Sequence, residues 1–78
     1  MNTEDSARIE ARERQVLYVA GYRDIGLKPG SFYASLIDCF FRADRDNFGR
    51  LAKAFPTTAR AYENYMHGEL RARYDLKD

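Results

Sequence analysis

"SFYASLIDCFFRAD", Ser31 to Asp44, constrains the fold of this chain more than any other stretch. At about 100° per residue, Ser31, Ser35, Asp38 and Arg42 share one narrow arc. Phe32, Tyr33, Leu36, Ile37, Cys39, Phe40 and Phe41 cover the rest of the circumference. A helix apolar on so many sides needs neighbours on several of them. The pattern therefore predicts a central helix over residues 31–43, buried within a helical bundle. A second role fits the same residues, with Tyr33, Ile37 and Phe41 forming a flank that meets another subunit.

The neighbours can be read on either side. Ile9, Val16, Leu17 and Ala20 fall on one side of a helix over residues 5–20. Its opening half carries Glu4/Arg8 and Glu10/Arg14 at the i,i+4 spacing that supports an exposed helix. "GYRDIGLKPG" follows, and its three glycines and Pro29 exclude a continuous helix. Ser31 is then the expected cap of the central helix. Asp44 is suited to cap a third helix over residues 45–55, which buries Phe48, Leu51, Ala52 and Phe55. Pro56 ends it, since proline disfavours helical geometry in the residue before it. Thr57 or Thr58 is expected to cap the last helix, residues 58–74, with Ala59, Tyr62, Met66, Leu70 and Tyr74 as its apolar stripe. Gly68 weakens that helix by about 1 kcal/mol relative to alanine. The expected fold is all-α, a compact four-helix domain spanning residues 1–78 as one unit, since 78 residues leave no room for two cores.

Composition narrows the function. Thirteen basic and twelve acidic residues give a net charge of +1, which argues against a chain whose main task is gripping a phosphate backbone. Six tyrosines and five phenylalanines are a high aromatic load, suited to half-buried contact positions. Cys39 is the only cysteine, so no intrachain disulfide can form and a reducing cytoplasm is the expected location. "MNTEDSARIEARER" carries acids and no apolar run, unlike a secretory or transit signal, and no apolar run is long enough to span a membrane.

Catalytic and metal-binding patterns are missing. His67 stands alone on the expected solvent side of the last helix, and Cys39 reads as an inert buried hydrophobe. One histidine and one cysteine do not make a zinc site. "DRDNFG" starts like a calcium loop, but Phe48 and Phe55 occupy positions that need oxygen ligands. "GLKPGS" lacks the spacing of a phosphate-binding loop. No enzyme and no cofactor are expected.

"LAKAFPTTARAYENYMHGE", Leu51 to Glu69, resembles the helix-turn-helix of repressors at its apolar positions, Leu51, Ala52, Phe55, Tyr62, Tyr65 and Met66. The resemblance would place Thr58, Arg60, Asn64 and His67 toward the groove, with Arg60 reading guanine and Asn64 adenine. It fails at the corner. The family has glycine where this chain has Pro56, whose fixed φ cannot supply the positive angle needed there. Thr58, Arg60, Asn64, His67 and Arg71 then form an outward stripe that meets DNA, a protein or water.

The run of Ser-Phe, Leu-Ile, Phe-Phe, "RAD", Asn47, "RL" and "AFP" is similar to a pattern in small uncharacterised proteins of bacteriophages and other mobile elements. That resemblance implies a stoichiometric binder of host machinery or of a defence enzyme. The leading expectation is thus a non-enzymatic interaction protein, encoded by a phage or other mobile element, that binds a host or defence protein stoichiometrically as an inhibitor, with a homo-oligomer as an option. A helix-turn-helix regulator binding DNA is the alternative, and sequestration of an anionic nucleotide-like ligand in an oligomer a third.

Overall fold

Glycine and proline punctuate the chain where helices stop. The computed structural model describes the backbone of residues 3–76 and the side chains of residues 8–76; the Glu4 side chain of the expected Glu4/Arg8 pair lies outside them. Five helices appear: α1 (Thr3–Ala20), α2 (Ser31–Arg42), α3 (Arg45–Ala54), α4 (Pro56–Met66) and the short α5 (Glu69–Arg73). No strand occurs among the described residues. A radius of gyration of 11.9 Å matches the ~11.5 Å typical of a compact chain this long.

α1 ends in a Schellman motif. Gly21 takes φ +113°, Tyr22 N–H donates to the Leu17 carbonyl at 2.9 Å, and Gly21 N–H donates to Tyr18 at 3.1 Å. The linker then folds back along α1. Leu27 N–H donates to the Arg14 carbonyl (3.0 Å), while Arg14 Nε donates to the Ile25 carbonyl (3.1 Å). Arg14, expected to support the helix by pairing with Glu10, directs its Nε to the linker. At Gly26 the two backbones touch: a Cβ there would lie 2.5 Å from the Tyr18 nitrogen and 2.8 Å from the Arg14 oxygen. Only glycine fits without a shift.

α2 begins after Gly30, with no side-chain cap, so Ser31 is its first residue and not its cap. It buries one arc, Leu36, Ile37 and Phe40. Phe32 and Cys39, expected inside, are exposed. The reason is the position of the neighbours. α2 packs mainly on α1 and α4, which cover one side and leave the other to water. α4 is the helix that packs against all four others. Its inward residues Thr58, Ala59 and Ala61 are small, which lets α1 and α2 approach closely.

α3 starts as expected: Asp44 Oδ1 accepts from Asn47 N–H at 2.8 Å. It contributes no fully buried residue, but Phe48 and Leu51 lie against the cluster of Leu36, Phe40 and Ala59. A second cluster joins Val16, Ile37 and Ala61, with Phe41 and Tyr65 against it. Aromatic edges link the two, since Tyr62 contacts Phe40 (5.7 Å), Phe48 (5.9 Å) and Phe41 (5.2 Å) between centroids.

Two boundaries of the last helix differ from expectation. Pro56 opens α4 at its first position, two residues ahead of residue 58, and neither Thr57 nor Thr58 caps it. Phe55 alone forms the corner, at φ −133° and ψ 69°, outside helical geometry as a residue before proline prefers. Gly68, at φ +83°, then splits the expected helix 58–74 into α4 and α5. α5 is short, yet Leu70 is fully buried and anchors it. Met66, expected in the apolar stripe, falls at the end of α4 and is exposed.

Candidate interaction surfaces

The expected outward stripe divides. Arg60, His67 and Arg71 are exposed, but Thr58 is 3% exposed and Asn64 is half-buried. Both belong to the side of α4 that meets α1, because the α1–α4 contact is the most extensive in the molecule. Asn64 Nδ2 donates to Glu13 Oε2 at 2.9 Å. Among the expected interface residues, Ile37 is fully buried in the core, so it offers no surface. Phe41 is half-buried against Tyr62 and Tyr65. Tyr33 alone borders an open surface.

Glu13 organises the first polar region. Its side chain is 2% exposed, and its other oxygen accepts from Arg73 Nη1 at 2.7 Å. Arg73 Nη2 also reaches Glu69 Oε1 at 3.3 Å. The hydrogen bond to Glu13 comes first among the influences that hold the Arg73 proton above the ordinary arginine range. Ile9, Glu10, Arg60, Asn64, Arg73 and Tyr74 border an open cleft of about 390 Å³ above this pair. Chemically the cluster is closed. Both carboxylate oxygens are taken, and among the described residues no buried side-chain nitrogen or oxygen lacks a partner. It joins α1, α4 and α5, a structural task that sequence reading missed because Glu13 and Arg73 lie 60 positions apart.

The second region is open. Phe32, 60% exposed, packs edge-on against Tyr33 (5.2 Å, 84°) and lies 6.0 Å from Phe55. The Arg12 guanidinium sits 3.6 Å from the Tyr33 ring centroid, and its Nη1 donates to Gln15 Oε1 at 2.7 Å. Arg8, Arg12, Tyr33, Phe55, Pro56 and Thr57 border a cleft of about 310 Å³ beside it. The Pro56 corner, the first turn of α2 and the outer side of α1 meet here. Phe55 is half-buried against the core as expected, but Phe32 is not, since hydrophobicity alone does not say which side a neighbour covers.

Cys39 borders a third cleft with Arg42, Asn47 and Arg50. Among the described residues no group of three histidine, cysteine or acidic side chains is placed to hold a metal ion. No described helix is long and apolar enough to cross a membrane. No family model, no curated protein and no solved structure matches this chain.

Proposed function

We propose that the chain is a non-enzymatic interaction protein that docks a partner protein on the ledge of Phe32, Tyr33, Phe55 and Arg12. One observation carries the reading: Phe32 is an exposed aromatic held in place by two other rings. A large side chain fixed before binding loses little entropy on contact, and aromatic and arginine residues anchor most protein interfaces. The geometry weighs against groove reading by α4. A reading helix needs its polar side free, and here the Asn64 amide is occupied by Glu13 while Thr58 is buried.

The test compares the wild-type chain with Phe32→Ser as baits in the organism that encodes it, followed by reconstitution of any retained protein from purified components. A partner whose binding drops at least about tenfold, or 1.4 kcal/mol, in the variant supports the reading. A partner bound equally by both forms, or specific duplex binding lost on Arg60→Ala with Phe32→Ser silent, refutes it.

A further inference from the structure

We infer that the segment docked on this ledge is acidic, with a carboxylate seated on Arg12 and an apolar side chain set against Phe32 and Phe55. The inference rests on the interaction reading above and adds the chemistry of the partner.

Charge complementarity carries it. Arg12 borders the cleft at the ledge, and among the described residues that border it none is a carboxylate. Two other arginines are paired with acids: Arg42 with Asp38 at 3.0 Å, and Arg73 with Glu13 and Glu69. Arg12 instead rests on a neutral ring and a neutral amide. Neither neutralises its charge. A guanidinium has five N–H donors in one plane, and stacking on a ring leaves donors at its edge directed outward. That edge matches the two oxygens of a carboxylate. The Tyr33 ring also fixes the guanidinium plane, so less freedom is lost when a carboxylate binds.

Size and surroundings favour a peptide over a nucleic acid. A cleft of about 310 Å³ is at the low end of ligand sites, enough for a short stretch of side chains. Nucleic-acid tracts require a row of cations to replace counterions along the backbone. Here two arginines stand together in a chain of net charge +1.

The experiment uses the full chain and short fluorescein-labelled peptides that share a central Leu-Phe pair, flanked by glutamates, by glutamines or by lysines. A labelled thymidine oligonucleotide is measured beside them by anisotropy at low salt. The glutamate peptide is expected to bind at least about tenfold more tightly than the glutamine peptide, with the lysine peptide weakest. Arg12→Gln should erase the difference between the glutamate and glutamine peptides. Phe32→Ser should weaken both alike, and circular dichroism should show unchanged helicity in each variant. Arg12→Lys, which keeps the charge and loses the planar fork, should recover part of the preference.

Equal binding of the glutamate and glutamine peptides, still dependent on Phe32, would overturn the acidic partner and leave ledge docking intact. Binding of the oligonucleotide through Arg12 and Phe32, without the glutamate peptide, would overturn both readings. Absence of any binding by the glutamate peptide also overturns the inference.

Discussion

Arg12 and Glu13 are neighbours on α1, yet about 100° apart around it they serve different surroundings. Glu13 points between α4 and α5, where an amide and a guanidinium take both of its oxygens. Arg12 lies outward on Tyr33, with a neutral amide as its hydrogen-bond acceptor. One region is a closed polar junction that ties three helices; the other is a displayed charge beside an exposed ring. An arginine is therefore informative through what completes its charge. Arg73 completes its charge on a buried carboxylate and ties the fold together, whereas Arg12 rests on neutral groups at the surface.

Substitutions can separate the two regions by size of effect. Arg73→Ala is expected to be the most damaging, at about 3 kcal/mol, because it leaves the buried Glu13 carboxylate with only Asn64. The lower end of the range for broken buried pairs applies, since Arg73 itself is 41% exposed. Urea unfolding of the chain should report it. The Glu13→Gln/Arg73→Ala double variant should be more stable than Arg73→Ala alone, and a double variant that is equally unstable would show that the pair is not coupled.

Gly26→Ala comes next, at about 2 kcal/mol, since its Cβ would meet backbone atoms of Arg14 and Tyr18 that cannot turn aside. The thermal midpoint is the readout; an unchanged midpoint would mean that the linker is not held against α1. On the displayed side the effects should be small. Arg12→Gln removes a cation over a ring and is expected to cost about 0.5–1 kcal/mol. Phe32→Ser should change stability by no more than about 0.5 kcal/mol, as is usual for exposed positions. A loss as large as that of Arg73→Ala would make Phe32 a core residue and remove the contrast.

The smallest effect concerns alkaline pH. Burial raises the Tyr65 pKa above the usual tyrosine value of 10.0. The neutral phenol is thus favoured in the folded chain, and its contribution is complete below that pH. It is lost as pH rises from the unfolded value through the higher folded one. Tyr65→Phe should flatten this part of the stability curve, measured by urea unfolding at a series of alkaline pH values.

Much of the framework was legible from residues alone. The Asp44 cap, the stop before Pro56 and the break after Ala20 follow from side-chain and backbone chemistry within a few residues. Gly68 was read as a weakness in one helix, and the left-handed turn there divides it into two. Of the flank Tyr33, Ile37 and Phe41, only Tyr33 borders a cleft, whereas Ile37 and Phe41 face the core. Periodicity groups residues on a face without saying which face is covered.

The all-helical character and the places where helices begin and end came from local rules: caps, proline geometry and glycine's access to positive φ. The rest depended on how helices pack. α4 became the hub because Thr58, Ala59 and Ala61 are small enough to admit its neighbours. Its position turned Asn64 inward to Glu13 and left one side of α2 uncovered, which put Phe32 in water. Glu13 and Arg73 met across the chain for the same reason. Side-chain spacing carries no record of such distant contacts, because they arise from the summed packing of every helix.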